Sequence, residues 1–487
     1  MHESIVPNQI KISEIINNGS LSPNNYKKLT IKNKYQHKLE YYLNDENPFT
    51  KGIEPGSSSY VKHSNQAFLR NSCIDNIRYS LDKEKYIYLN PNYYYGCNVE
   101  NEDVLFCTDA NIGDCCLYIS DEENVLFSSG VIKLNFKDNK DKFYLMAFMR
   151  DDYFRQQLNT LTPKGSTIRH SGDLLLQCFV PDCPYDWVKD IMKDVIKNIA
   201  YSEYYCDKKI RDTEDIIHKE IMKIDYSYTN PTFKDLKEKV RTDSGIYSNK
   251  VYQWKKNVEN YKYGYTDLSG YGFKTQRGPS LQVRDLGRSI QTRKYHKGYN
   301  ILIYPSDISS AGYINKVTYL GARIPVWFLG EKYILFSSEG TIGKTFVICD
   351  NTMKFTTNIH GTMIYPLDKE TDISYSIFLG LYLNYLRKEG IFSKMSVGAN
   401  GGSFAVGYWD NIVIPKVPSK LREKLAKIYD NDSQLLPTKF DLEKIEKAGI
   451  YQLNKFLIST KELLCTLCDD IKEGIIKSKE EYDNIMT

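Results

Sequence analysis

Two stretches of this chain, about 230 residues apart, follow one plan, and that repetition restricts the fold more than any compositional value. Val104-Leu105-Phe106-Cys107-Thr108 leads into Asn111-Ile112-Gly113 and then Cys116-Leu117-Tyr118-Ile119. Ile334-Leu335-Phe336-Ser337-Ser338 leads into Thr341-Ile342-Gly343 and then Phe346-Val347-Ile348. Each reads as strand, tight turn, strand, because β-rich runs flank a glycine that tolerates positive φ. The landmarks that follow keep the same order. Lys142 to Leu158 has helical spacing of Phe143, Leu145, Met146, Phe148 and Phe154, and Ser374 to Arg387 has it for Phe378, Leu379, Tyr382, Leu383 and Leu386. A glycine-polar loop comes next (Lys164-Gly165-Ser166-Thr167; Gly398 to Ser403), then a short strand closing at Val180-Pro181 or Ile414-Pro415. Landmarks agreeing in order predict a duplication.

Each copy is followed by helix. From Pro184 to Lys223 no glycine or proline occurs after the opening proline, which a helix start tolerates. Trp187, Ile191, Val195, Ile199, Ile210, Ile217 and Ile221 carry an apolar stripe, while Asp186, Asp190 and Asp194 alternate with Lys189, Lys193 and Lys197 on a face expected to be solvated. Forty residues at about 1.5 Å each reach roughly 60 Å, beyond an ordinary globular helix. Ser419 to Thr487 repeats the spacing with Leu453, Phe456, Leu457, Leu464, Leu467, Ile471 and Ile475. The expected class is α+β: two duplicated mixed α/β domains separated by long helices that form an antiparallel coiled-coil spacer, with pseudo-two-fold symmetry. The boundaries expected are 1–182 for the first copy, 183–228 for a helical spacer, 229–416 for the second copy and 417–487 for a second helical region.

Composition narrows the class. Hydrophobic residues at 41% can bury cores, charged residues at 26% suit a water-soluble chain, and no apolar run reaches a membrane span. Met1 to Glu14 is polar, so no secretory signal is expected. Eleven cysteines without a framework suit a reducing cytoplasm. A net charge of +4 decides nothing alone, so its distribution must.

Several short motifs resemble chemistry and fall short of it. Gly343-Lys344-Thr345 has the tail of a phosphate loop, but Ser338 stands where glycine is needed and Phe346-Val347-Ile348 reads as strand, where amides of a helix start are required. Gly398-Ala399-Asn400-Gly401-Gly402 has the wrong spacing for a dinucleotide site. Cys465 and Cys468 have two-residue metal spacing without a second pair, within an apolar stripe that favours buried thiols; Cys178 and Cys183 are likewise unpartnered. His2, His37, His63, His170, His218, His296 and His360 form no local cluster, and no adenine-methyltransferase motif of the Asn-Pro-Pro-Tyr type is present. No catalytic, cofactor or metal site is expected.

Positive charge concentrates in the globular copies. Arg277, Arg284, Arg288, Arg293, Lys294 and Lys297 lie in one stretch with Asp285 the only acid, whereas Pro184 to Lys223 carries eight basic and nine acidic residues. Basic loops neutralise phosphates, and Arg suits guanine edges. The equivalent stretch of the first copy runs from Tyr60 to Arg78 with Lys62, His63, Asn65, Gln66, Arg70 and Arg78, where the amides suit adenine. Lys164, Arg169 and Lys344 complete the expected DNA-binding set. The acidic segment Ser120 to Asn124 marks a surface expected to face away.

The pattern resembles the specificity subunits of type I restriction–modification systems over nearly the whole chain. The resemblance rests on Asp103-Val104-Leu105-Phe106 with Ile112-Gly113, on Lys164-Gly165-Ser166-Thr167-Ile168-Arg169-His170 leading to Val180-Pro181, and on Glu339-Gly340-Thr341-Ile342-Gly343-Lys344. The second copy departs from it, reading Gly401-Gly402-Ser403-Phe404 without the histidine. Both copies open on similar cues, Lys11-Ile12-Ser13-Glu14-Ile15 and Phe233-Lys234-Asp235-Leu236. The resemblance implies a cytoplasmic, non-catalytic subunit whose two target-recognition domains each read half of a split double-stranded DNA target. It further implies that the helices hold two methyltransferase subunits, that restriction and translocase subunits add to these, and that S-adenosylmethionine, ATP and magnesium belong to the partners. Three other readings stay open at this level: the recognition component of another methylation or phage-defence system, a non-DNA scaffold, and a nucleotide-dependent enzyme using Gly343-Lys344-Thr345.

Overall fold

The structure is a computed structural model that describes all residues except 1–2, 6, 8, 19–20, 22–25, 92–97, 121, 123–124, 163–169, 240, 397–401 and 484–487. The chain is α+β and divides into two compact units. Unit 1 comprises Met1–Tyr204, Leu435–Ile445 and Ser459–Thr487; unit 2 comprises Tyr205–Gln434 and Glu446–Ile458.

The duplication holds strand by strand. After a short pair, β1 (Glu3–Ile5) and β2 (Lys28–Thr30), the first copy contains β3 (Gln36–Lys38), β4 (Phe49–Lys51), β5 (Tyr60–Val61), β6 (Ala67–Leu69), β7 (Ile87–Leu89), β8 (Val104–Cys107), β9 (Cys115–Leu117), β10 (Leu126–Phe127), β11 (Val131–Leu134) and β12 (Phe179–Pro181). The second contains β13 (Tyr265–Thr266), β14 (Phe273–Arg277), β15 (Ser289–Thr292), β16 (Asn300–Leu302), β17 (Thr318–Ala322), β18 (Ile334–Ser337), β19 (Thr345–Val347), β20 (Phe355–Thr356), β21 (Gly361–Pro366) and β22 (Ile414–Pro415). One sheet of each copy has the order β4-β11-β8-β9 or β14-β21-β18-β19, and the other has β10-β6-β7-β5 or β20-β16-β17-β15. The β10–β6 and β16–β20 pairs are both parallel, and the closing strands β12 and β22 pair antiparallel with β3 and β13. The strand-turn-strand landmark is β8–β9 and β18–β19, with Gly113 at φ +88° and Gly343 at φ +95°.

The helices are α1 (Ile12–Asn18), α2 (Asp141–Arg150), α3 (Asp152–Leu161), α4 (Asp186–Ile221), α5 (Phe233–Lys239), α6 (Asn249–Glu259), α7 (Val283–Leu286), α8 (Ile373–Lys388), α9 (Ile391–Met395), α10 (Ser419–Tyr429), α11 (Leu442–Lys447), α12 (Ile450–Glu473) and α13 (Lys479–Asp483). Among the described residues no helix is long and apolar enough to cross a membrane. The helix expected over Lys142–Leu158 breaks at Asp151, whose backbone is extended and whose carboxylate accepts the Tyr153 amide, starting α3. The second helical region is likewise interrupted. Gly449 opens α12 where a Cβ would crowd the Tyr429 carbonyl, and Gly474 at φ +72° ends it, leaving Ile475 58% exposed rather than on the stripe.

The long helix α4 belongs to unit 1 as far as Tyr204 and to unit 2 beyond it. Its expected apolar stripe is buried at Ile191, Val195, Ile199, Ile210, Ile217 and Ile221. Its charged row is not simply solvated: Lys189 pairs with Asp141 at 2.8 Å and Lys197 with Glu102 at 2.7 Å. From Asn198 to Tyr204 the helix is enclosed on all sides, and polar groups there find partners. The Asn198 side-chain amide donates to the Pro437 carbonyl at 2.9 Å.

Glu203 is fully buried. It pairs with Lys461 of α12 at 2.8 Å and accepts from the Tyr79 amide, the Ser80 amide and the Ser80 hydroxyl at 2.8, 3.0 and 3.1 Å. Burial pushes its pKa up, but Lys461 and Arg78 more than offset this and hold the carboxyl below the usual glutamate range. The second copy solves the same problem with a neutral group. Asn454 of α12, also buried, accepts the Ile314 amide at 2.8 Å and donates to the Gly312 carbonyl at 3.4 Å. Each recognition-sheet loop is thereby fastened to a long helix.

Replacing Glu203 by Ala leaves Lys461 and Arg78 uncompensated and should cost about 3–5 kcal/mol, read as a drop in the urea midpoint. A carboxylate depressed on folding stabilises above its unfolded pKa of about 4.3 and loses that contribution as pH falls through the lower folded value. The acid limb of the wild-type stability profile should therefore flatten in the variant. An unchanged midpoint and acid limb would show that the carboxylate contributes no stability.

Candidate nucleic-acid interface

Both recognition sheets contain the same unusual connection. Strands β5 and β6 each pair antiparallel with β7, so they run parallel to one another on either side of it. The five residues Lys62–Gln66 joining them must arch over β7. Strands β15 and β16 flank β17 in the same way, and residues 293–299 form the second arch. The two stretches singled out by charge are thus topological equivalents. His63 sits 6.5 Å from the Tyr88 ring beneath the first arch, and Tyr295 sits 5.6 Å from the Tyr319 ring beneath the second.

In the first arch Lys62, His63 and Asn65 are exposed, as is Arg70 beyond it. The Ser64 hydroxyl holds the arch down, donating to the Leu89 carbonyl at 2.6 Å and accepting the Gln66 amide at 2.9 Å. Gln66 and Arg78 are each only 5% exposed, which removes them from any surface a groove could reach. Arg78 donates to Ser80 at 3.1 Å and belongs to the Glu203 cluster. Lys164 and Arg169 lie outside the described residues, and so do residues 121, 123 and 124 of the acidic segment; its Glu122 pairs with Lys83 at 3.3 Å.

In the second copy Arg277, Arg284, Arg288, Arg293, Lys294 and Lys297 are all exposed. Arg277 lies 3.4 Å from Glu339, and Arg284 lies 3.4 Å from Asp285 with 78% of its side chain open to solvent, a pair worth about 0–1 kcal/mol. The Ser280 hydroxyl, with help from Arg284, holds the Asp285 carboxyl below the usual range. Arg288, Arg293 and Lys297 have no acidic partner among the described residues. Pairing also brings in a residue the local charge pattern did not single out: the Arg323 amide donates to the Arg288 carbonyl at 3.2 Å, so two exposed arginines lie opposite each other at the end of the β15–β17 ladder.

Lys344 is half-buried in the β18–β19 turn, and its charge helps pull the Asp307 carboxyl down against the burial that raises it. Thr345 begins strand β19, so no helix start follows Gly343-Lys344-Thr345 to receive a phosphate. Instead the Ser337 hydroxyl accepts the Lys344 amide at 2.9 Å, closing the turn. Among the described residues no group of three or more His, Cys, Asp or Glu side chains is placed to hold a metal. Cys468 is buried, which raises its thiol well above the usual range, whereas Cys465 is exposed and not the buried thiol expected.

The missing histidine of the second copy has a structural answer. In the first copy Asp109, at the end of β8, pairs with His170 at 2.7 Å and forms a bridge to it. In the second copy the equivalent bridge joins Glu339 to Ser403, and the imidazole comes from elsewhere in the chain: His360, just before β21, bonds to Glu339. An acid–histidine pair therefore recurs at one place in the fold from two unrelated sequence positions.

Gly321 in β17 lies where a Cβ would run into the Tyr299 ring that closes the second arch. Gly321→Ala should displace the arch, cost about 1–3 kcal/mol and weaken duplex binding, and Tyr299→Ala in the same chain should restore most of the stability. Additive effects in a double-mutant cycle would show that the ring and the strand do not meet.

No protein-family model matches the chain, and no curated protein does. Solved structures do match. The crystal structure of the type I restriction–modification system S subunit from M. genitalium aligns over 92% of this chain and 99% of its own, at 13% identity and a TM-score of 0.42. A structure concerning complex assembly and conformational transition of the type I R–M system aligns over 91% and 98%, at 14% identity and a TM-score of 0.28. The HsdS subunit from Thermoanaerobacter tengcongensis aligns over 91% and 97%, at 14% and 0.28. Along nearly its whole length, and at low sequence identity, this chain is similar to S subunits of type I restriction–modification systems.

Proposed function

We propose that the chain is the sequence-specificity subunit of a type I restriction–modification enzyme, each copy reading one half of a split double-stranded DNA target. The observation that carries this reading is the recurrence of an exposed, basic arch at the same topological position in both copies. Basic side chains on an arch raised above a sheet suit phosphate contact, and flanking Arg and Asn suit base edges in the major groove. The sequence resemblance supports the rest: two methyltransferase subunits held by the helical regions, restriction and translocase subunits added to them, S-adenosylmethionine, ATP and magnesium bound by those partners, and a cytoplasmic location. In this reading residues 1–182 and 229–416 are the recognition domains, with helical regions at 183–228 and 417–487.

Removing arch cations should weaken binding to all duplexes alike. Lys62→Ala in the first arch, or Arg293→Ala with Lys297→Ala in the second, should lower the slope of log affinity against log salt by about 0.9 for each phosphate left without its cation. Unchanged slopes would remove the arches from the interface. The copies should also be separable. Co-expressed with the methyltransferase encoded beside it, a chain whose residues 1–182 come from a related protein should change one half of the methylated sequence and leave the other intact. A change in both halves would sink the two-reader arrangement. The purified chain alone should bind neither ATP nor S-adenosylmethionine.

A further inference from the structure

Among the described residues the second copy has an element the first does not repeat. Strand β5 has two residues, and its ladder with β7 reaches the Asn90 amide, which donates to the Ser59 carbonyl at 2.9 Å. Strand β15 has four, all exposed or half-exposed, and its ladder runs on past Ser289↔Ala322 to Arg288 and Arg323. Side chains alternate along a strand, so Arg288 and Ile290 share a face with Arg323 and Gly321, the face the arch crosses. Gly287, at φ +67°, ends α7 and lets the Arg323 stem pass: a Cβ there would stand 3.3 Å from the Arg323 Cβ.

Two arginines directly opposite on one sheet face repel, and a folded chain keeps such a pair at a cost unless an anion or an electron-rich edge joins them. Neither has an acidic partner among the described residues, and both are exposed. Ile290 beside them is 61% exposed, an apolar side chain with no core to enter. A two-stranded ribbon fits the major groove, where guanine offers the O6 and N7 acceptors that a guanidinium fork matches and thymine offers a methyl group.

We propose that Arg288 and Arg323 at the end of the β15–β17 ribbon read a guanine of the half-site bound by the second copy, with Ile290 against a neighbouring base edge. This rests on the DNA-reading function proposed above and makes the two half-sites unequal: among its described residues the first copy has no such ribbon to read a guanine at the matching place.

The test is selection from a random duplex library by the full-length chain, wild type against Arg288→Lys and Arg323→Lys. Lysine keeps the charge and loses the fork. The wild type should select a guanine in one half-site. At least one lysine variant should lose discrimination at that position by about tenfold or more while keeping the other half-site, its non-specific affinity and its salt slope. If both variants select the wild-type sequence with undiminished discrimination, or if the corresponding alanine variants only weaken all duplexes equally and flatten the salt slope, the arginines contact phosphate and the proposal fails alone. If the wild type selects no sequence, the DNA-reading function falls and takes the proposal with it.

Discussion

A carboxylate with no solvent around it holds the first unit together. Glu203 lies in the one stretch of α4 that is enclosed on every side, and its two oxygens are met by Lys461 and by two backbone amides of the loop before β7. Such a group is expensive to bury and valuable once paired, so its partners are constrained together: the loop cannot shift without stranding the charge. Because β7 is the strand beneath the first arch, the height and direction of the arch follow from how that loop is fastened. The second unit reaches the same end with Asn454, whose amide offers a donor and an acceptor to Ile314 and Gly312 without any charge.

A second pair of fasteners repeats between the copies. Arg150, at the end of α2, donates to the carbonyls of Cys115 and Asp75 and stacks 4.0 Å from the Tyr79 ring. Arg387 of α8 donates to the Ser310 carbonyl at 2.9 Å. In both copies an arginine from the helix following the sheets reaches the loop that precedes the arch-bearing strand. The buried cations serve architecture and the exposed ones remain for a ligand, a division that residue type alone does not reveal.

That division explains what could be read from the sequence. The order of landmarks, the glycine turns and the closing strands are local patterns, and each is where the spacing put it. The equivalence of the two basic stretches was also legible, since charge clusters survive divergence when the fold that displays them is kept. Arg78 misled because burial of a cation depends on a carboxylate far along the chain, Glu203. Asp151 misled because a helical aspartate looks solvated until its side chain is seen to start the next helix. Arg323 was invisible for a different reason: it joins Arg288 only through strand pairing, and no local charge pattern encodes register. The return of an imidazole through His360 is the same lesson in reverse, a place in the fold refilled from a position that sequence comparison of the two copies cannot align.

Strand β15 is an open edge, and its exposure has a consequence for the protein when no duplex is present. An unpaired edge of exposed β-strand is a template for the edge of a second molecule, and Ile290 gives this one an apolar foothold. The arginines at 288 and 293, one at either end of the strand, oppose that: two copies brought edge to edge would set guanidinium against guanidinium. The charges that face DNA thus also keep the free chain solitary. A lineage that drifts toward apolar base contacts on this ribbon trades away its resistance to self-association, so new target sequences are reached most safely by moving the positive charge along the edge rather than removing it.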